Sequence, residues 1–169
     1  KIEYGIDLGT TNSAIARIEN GVSNILEIDN SKTVPSVVLY DRKDNCQVGI
    51  RALNTNKPKF VEFKRDMGME CLTDSPEAKL QNGTLITAEI LSTEVLKKLA
   101  EGVNDEILKS VVVTVPAMFE VGQIEATKRA AKRAGFEQVE ILMEPVAAAT
   151  KFAMQNIGKD GMWLIFDFG

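Results

Sequence analysis

Histidine is absent from the 169-residue sequence, and cysteine occurs only twice. The lack of histidine excludes histidine-based catalytic triads and histidine metal sites, which leaves carboxylates, lysine, hydroxyls and backbone amides for any chemistry. Cys46 and Cys71 lack the C-x-x-C spacing of zinc and redox sites, and they give no support to a disulfide framework. A reducing cytoplasm is therefore the expected location.

Basic runs and long apolar runs are also missing. The 20 Lys and Arg residues are outnumbered by 24 Asp and Glu residues, which gives a net charge of -4. This balance argues against binding to nucleic-acid phosphates. Apolar stretches such as residues 110–119 are much shorter than the ~20 residues that a membrane-spanning helix needs. We expect neither nucleic acid nor a membrane as a partner.

The composition is that of a globular protein, with 44% hydrophobic and 26% charged residues. At ~150 residues per domain, the length predicts about one domain and a small insert. Strands are predicted at residues 2–8, 13–19 and 22–28, and Asn20-Gly21 is a strong signal for a hairpin between the last two. The irregular stretch 33–85 is predicted to form a small inserted subdomain.

Strand and helix patterns alternate in the rest of the chain. The predicted elements are a helix at 86–102 with Thr87 as N-cap, a strand at 111–115, a helix at 121–134, a strand at 139–143, a helix at 145–156 and a strand at 162–168. This alternation indicates βαβ units with parallel pairing. We predict an α/β fold with one mixed sheet, an antiparallel meander plus βαβαβ. Ligands of such sheets bind beyond the carboxyl ends of the strands.

Acidic residues stand where three predicted strands end, namely Asp7, Glu144 and Asp167. Asp7 precedes the small-residue turn Gly9-Thr10-Thr11-Asn12, whose amides are suited to phosphate oxygens. Carboxylates at one sheet edge repel one another unless a divalent cation lies between them, which favours a Mg-phosphate ligand. Taken singly, Asp7 is as consistent with a β-turn, and Glu144 before Pro145 is more typical of a helix cap.

Other conspicuous residues have ordinary interpretations. Lys64, taken alone, is predicted to be a solvated surface charge. The basic pairs at 128–129 and 132–133 repeat at i, i+4 and are expected to form a solvated helix face. The six methionines are predicted to fill the core.

Short motifs occur in order along the chain: Gly5-Ile6-Asp7-Leu8-Gly9-Thr10-Thr11-Asn12-Ser13, Val34-Pro35-Ser36-Val37-Val38, Phe63-Lys64-Arg65, Val112-Val113-Thr114-Val115-Pro116-Ala117, Glu144-Pro145-Val146-Ala147-Ala148-Ala149 and Phe166-Asp167-Phe168-Gly169. Together they resemble the seventy-kilodalton heat-shock chaperones of the DnaK type, specifically the first lobe of their N-terminal ATPase domain. The resemblance implies the actin-like ATPase fold. Residues 1–32 and 86–169 would form its ribonuclease-H-like subdomain, and residues 33–85 its smaller inserted one.

The same resemblance implies ATP or ADP with Mg²⁺ as cofactors, and K⁺ as a further ion. Asp7 and Asp167 would hold Mg²⁺ through water. The phosphates would be bound by Gly9, Thr10, Thr11, Asn12 and Gly169. Lys64 and Glu144 would flank the attacking water. The family holds the adenosine in a second lobe that these motifs do not include, so we expect ATP hydrolysis in the full-length protein and an inactive isolated lobe.

The resemblance also implies a chaperone that assists protein folding under stress. Its partners would be unfolded polypeptide clients bound by a C-terminal domain, a J-domain co-chaperone and a nucleotide-exchange factor. Ile124 and Glu140 replace two family arginines that serve interdomain signalling, while Pro116 matches the family's relay proline. The motifs therefore predict the family's ATP hydrolysis for this sequence, whereas the two replacements weaken the prediction that hydrolysis is coupled to partners.

Three alternatives remain at this stage. A bacterial actin-like filament ATPase shares the first turn and the Glu-Pro helix start, but the motifs at 34–36 and 63–65 favour the chaperone. Sugar kinases share only the first turn. An α/β domain without a nucleotide role is the remaining possibility.

Overall fold

The computed structural model describes residues 4–103, 110–158 and 161–165. The strands are β1 (Tyr4–Asp7), β2 (Asn12–Glu19), β3 (Val22–Ile25), β4 (Val34–Pro35), β5 (Val38–Tyr40), β6 (Cys46–Val48), β7 (Ser110–Val115) and β8 (Gln138–Met143). The helices are α1 (Ile50–Leu53), α2 (Ala88–Ala100), α3 (Val121–Arg133) and α4 (Glu144–Gln155), with a 3₁₀ turn at Phe63–Asp66. The predicted α/β class with a mixed sheet is confirmed.

The main sheet has the strand order β3-β2-β1-β7-β8, and the short β4 pairs with β2. Neighbouring strands among the first three are antiparallel, whereas β7 is parallel to β1 and β8 is parallel to β7. Asn20 and Gly21 turn the chain between β2 and β3 with φ of 51° and 80°, the left-handed values that a type I′ turn requires. The carboxyl ends of β1, β7 and β8 consequently lie at one edge.

Helix α2 packs its apolar stripe into the core. Thr87 caps it, because its hydroxyl accepts a hydrogen bond from the Ile90 amide at 3.3 Å. The fully buried residues of the stripe are Leu91, Val95, Leu96 and Leu99. They belong to the same cluster as Ile6 of β1 and Val113 of β7. Helix α3 lies beside α2 and buries three alanines, whose small side chains allow close approach.

The segment 33–85 is joined to this core and also has a small core of its own. Strands β5 and β6 form a two-stranded antiparallel ribbon, and Val37, Leu39 and Ala52 cluster beside it. Phe63, the first residue of the 3₁₀ turn, and Met67, which follows the turn, are buried in the main cluster. The turn is therefore fixed on both sides against the body of the molecule.

The strand predicted at 162–168 is wrong in its described part, because residues 161–165 form no strand. Met162, Trp163 and Leu164 are 101%, 56% and 76% exposed. Among the described residues β8 pairs only with β7, so this segment has no ladder of hydrogen bonds to support an extended chain. Residues 166–168 lie outside the described ranges. The observed sequence of elements after α2 is thus β7-α3-β8-α4.

Several methionines elsewhere in the chain are also exposed. Met67 is buried as predicted, but Met69, Met118 and Met154 are more than half exposed, so the expectation that methionines fill the core is mostly wrong. In the described parts of the chain, no helix has the length and apolar character needed to cross a membrane.

Candidate functional site

The carboxyl edge of the main sheet brings together residues that are far apart in sequence. Asp7 is the last residue of β1 and pairs with Thr114 of β7. Val115 of β7 pairs with Met143, the last residue of β8, and Glu144 follows directly. Parallel strands end at the same edge, which is where open α/β sheets bind ligands. Asp7 and Glu144 therefore lie at this edge, as the sequence predicted.

The Asp7 carboxylate is exposed and partly oriented. The Thr114 hydroxyl donates a hydrogen bond to its Oδ1 at 3.0 Å. The same hydroxyl lies 3.3 Å from the Ile6 carbonyl oxygen, which ties it to the strand end. None of the described residues donates a hydrogen bond to Oδ2, so this oxygen can bind a cation or a water molecule held by one.

The turn at residues 9–12 requires glycine at its first position. A Cβ built on Gly9 would stand 2.0 Å from the Asn12 carbonyl oxygen, far inside van der Waals contact. The chain therefore closes more tightly here than any larger residue allows. Thr11 and Asn12 are exposed, so a ligand can approach the turn from solvent.

Lys64 forms an ion pair with Glu144, a residue 80 positions later in the chain. The distance from Nζ to Glu144 Oε1 is 2.8 Å, and the side chains are only 6% and 22% exposed. The ammonium also lies 5.7 Å from the centre of the Phe119 ring. The interpretation of Lys64 as a solvated surface charge is wrong, because the lysine is buried. A buried ammonium needs a partner of opposite charge, which Glu144 supplies.

Glu144 occupies the first turn of α4, where negative charge is favourable to the helix dipole. The N-cap is Met143, and no side-chain hydrogen bond caps the helix. The Glu144 side chain therefore does not cap the helix, and that interpretation is wrong. Its carboxylate instead joins the sheet edge to the 3₁₀ turn.

Two predicted site residues, Asp167 and Gly169, lie outside the described ranges. Their roles as a metal ligand and a phosphate-binding residue stay predictions. Among the described residues, no group of three acidic or cysteine side chains is arranged to hold a metal ion. The structure thus brings Lys64 and Glu144 into contact and places Asp7 and residues 9–12 at the same edge.

Ser13 and Ser36 contact the turn, and sequence reasoning gave neither of them a role. Both are buried, and their hydroxyl oxygens are 2.8 Å apart. The Ser36 hydroxyl donates to the Gly9 carbonyl at 2.8 Å. The available signal was that each serine belongs to a quoted motif, Ser13 to the one at 5–13 and Ser36 to the one at 34–38. A pattern of residue types does not reveal which backbone group a serine reaches.

The fold and site define an α/β protein with a mixed sheet and a charged site at the carboxyl edge. The sequence matches the family described as Hsp70 protein over residues 3–169. It is 36% identical to a chaperone of Janthinobacterium sp. (strain Marseille) described as an HscA homolog, and 41% identical to the chaperone DnaK of Mycoplasmopsis pulmonis (strain UAB CTIP). Both matches include 100% of this chain, and 31% and 28% of the relatives.

The chain belongs to the Hsp70 family, which confirms the resemblance deduced from its motifs. This family implies the actin-like ATPase fold. The relatives named above are chaperones, which disfavours the filament-forming alternative. The chain spans about three tenths of their length.

Proposed function

We propose that this chain forms the phosphate-binding and catalytic wall of an ATP-hydrolysing site in a chaperone that assists protein folding. The observation that carries the proposal is the buried Lys64–Glu144 pair, 2.8 Å from Nζ to Oε1, at the edge that also holds the Gly9–Asn12 turn. The residues fit a nucleotide with Mg²⁺, since a Gly9 side chain would clash with the turn and the Asp7 carboxylate is open to solvent.

ATP and Mg²⁺, when bound, supply the phosphoryl group and the divalent charge that phosphoryl transfer needs. Asp7 with Asp167 would hold the metal through water, and residues 9–12 with Gly169 would bind the phosphates. The Thr10 hydroxyl would lie near the terminal phosphate. The adenosine would be held by a second lobe, as in the family.

Lys64 and Glu144 would orient the attacking water. The carboxylate accepts a hydrogen bond from that water, while the ammonium, already aligned by Glu144 and the Phe119 ring, stabilises the negative charge that develops. Because the pair is buried and fixed on two elements, little reorganisation is needed during the reaction. The catalytic contribution is positioning and charge stabilisation without a covalent intermediate.

The partners that we propose for the whole protein are those that the family resemblance implies, and the description of its relatives as chaperones supports them. They are unfolded polypeptides, a J-domain co-chaperone and a nucleotide-exchange factor, and the proposed location is the cytoplasm. Coupling to these partners is where this sequence differs from the family pattern, because Ile124 and Glu140 replace signalling arginines. Glu140 is exposed on β8, so the substitution changes the charge of the surface itself.

The proposal is tested by replacing Lys64 in the full-length protein. Lys64→Ala should slow single-turnover ATP hydrolysis by about 10²- to 10³-fold, the scale for losing one preorganised electrostatic group, while ADP still binds. Lys128→Ala is the matched control, because Lys128 pairs with Glu125 on an exposed helix face. Equal hydrolysis rates for the Lys64 and Lys128 variants would contradict the proposed role.

A further inference from the structure

Ser36 hydrogen-bonds two carbonyl groups of the turn at residues 9–12. Its hydroxyl donates to the Gly9 oxygen at 2.8 Å, and its backbone amide donates to the Thr11 oxygen at 2.8 Å. Ser36 itself is only 2% exposed, so these hydrogen bonds form away from competing water. One residue thus fixes the orientation of two peptide units in the turn.

The orientation of those carbonyls determines where the turn's amides point. In a trans peptide the N–H lies opposite the C=O of the same unit, and the described residues contain no cis peptide. Because the Gly9 and Thr11 carbonyls face Ser36, the amides of Thr10 and Asn12 face the opposite side. Two donors are therefore presented away from Ser36, as anion binding requires.

Ser13 extends this arrangement by one hydrogen bond. The Ser36 hydroxyl has one proton and donates it to Gly9, so the 2.8 Å contact between the two hydroxyls is a donation from Ser13 to Ser36. Ser13 is 1% exposed. A chain of hydroxyls polarised in one direction strengthens each of its hydrogen bonds. The terminal acceptor of the chain is the turn.

We infer that Ser36, supported by Ser13, is a positioning residue for phosphate binding: it orients the Thr10 and Asn12 amides without contacting the ligand. The inference rests on the proposed nucleotide function, because the ligand of the turn is taken to be a nucleotide phosphate. Loss of the Ser36 hydroxyl leaves the Gly9 carbonyl without its buried donor, so the peptide unit can rotate. The phosphate part of a nucleotide should lose affinity while the nucleoside part does not.

The test compares ADP with adenosine, measured by calorimetry on the full-length protein. Ser36→Ala should raise the Kd for ADP about tenfold and change the Kd for adenosine less than twofold. Ser92→Ala is the matched control, because Ser92 is equally buried and its hydroxyl has no hydrogen-bond partner among the described residues. It should leave both Kd values within about twofold. General destabilisation would not discriminate between the two ligands.

Ser13→Ala provides a second variant, since it keeps the hydrogen bond from Ser36 to Gly9. It should raise the Kd for ADP about threefold, and it decides the question if thermal melting shows that Ser36→Ala does not fold. Unchanged ADP affinity in these variants, with a wild type that prefers ADP to adenosine, overturns the inference and leaves the proposed function intact. A wild type with no such preference overturns the proposed function and the inference together.

Discussion

At the scale of single residues, the ion pair between Lys64 and Glu144, to which we assign a catalytic role, should also contribute to stability. Removing one member of a buried ion pair leaves the other charge without a partner, which is more destabilising than losing an exposed pair. Glu144→Ala should therefore lower the free energy of unfolding by about 2 to 3 kcal/mol, less than for a fully buried pair because Glu144 is 22% exposed.

Urea unfolding followed by circular dichroism measures this effect. Glu125→Ala is the control, because Glu125 forms an exposed i, i+3 pair with Lys128 and should contribute at most ~0.5 kcal/mol. A similar loss of stability in the two variants would show that the Lys64–Glu144 pair is not effectively buried.

Cys46 should make the free energy of unfolding fall at alkaline pH. Burial, with the nearby Glu94 carboxylate, raises the pKa of the Cys46 thiol to about 12, and burial also raises the pKa of Tyr40. An unfolded thiol titrates near ~8.5, so the unfolded chain loses this proton first as the pH rises. The stability contribution is complete below pH ~8.5 and is lost progressively toward pH 12.

The expected result is a decline in the free energy of unfolding over this alkaline range. Cys46→Ala should show a shallower decline, because the buried thiol no longer contributes to the pH dependence. Cys71→Ser serves as the matched cysteine control and should follow the wild type. Identical pH profiles for the Cys46 variant and the wild type would contradict the assignment.

The sequence predicted that Asp7 and Glu144 lie at the same sheet edge, because strand direction alone decides at which edge parallel strands end. It did not reveal the burial of Lys64, since residue type favours an exposed lysine and only tertiary packing against Phe119 and Glu144 reverses that preference. Ser36 was unpredictable for a related reason. Its role depends on a backbone carbonyl 27 residues earlier in the chain.

At the scale of secondary-structure elements, the turn at residues 9–12 depends on the missing side chain of Gly9. Gly9→Ala should open the turn and raise the Kd for ADP at least about tenfold, because the new methyl group would stand 2.0 Å from the Asn12 carbonyl oxygen. Gly5→Ala, in β1, is a control in which the added Cβ meets nothing within 4 Å. Calorimetry with the full-length variants measures both, and equal ADP affinities would contradict the steric argument.

Helices were easier to predict than the last strand. The apolar stripe of α2 and its Thr87 cap are local signals, and both are present in the structure. The pattern at 162–168 has the apolar character of a strand, yet residues 161–165 form none, because a strand needs a neighbour and the local sequence cannot supply one. The strands within 33–85 gave weak signals because they are short: β4, β5 and β6 have only two or three residues each.

At the scale of the whole molecule, the main core joins elements from both ends of the chain. Ile6 of β1, Phe63 of the 3₁₀ turn, Leu96 of α2 and Phe136 before β8 belong to one cluster. We therefore predict that the 169-residue chain folds by itself with a cooperative thermal transition. We also predict weak ATP binding, with a Kd above the micromolar range, because the adenosine contacts are expected from a second lobe.

Differential scanning calorimetry and titration with ATP test these two expectations separately. A broad, non-cooperative melt would contradict autonomous folding. Micromolar ATP affinity would show that the described edge binds the whole nucleotide without a second lobe. The full-length protein is the positive control for binding.

The 80-residue separation between Lys64 and Glu144 also means that the ribosome makes the two partners several seconds apart. At about 5 to 20 residues per second, the ribosome makes the lysine roughly 4 to 16 seconds before its carboxylate partner. During that interval the ammonium has to stay hydrated, since the chain has not yet provided the opposite charge. The ion pair can form only after Glu144, the first residue of α4 and the residue that follows β8, has been synthesised.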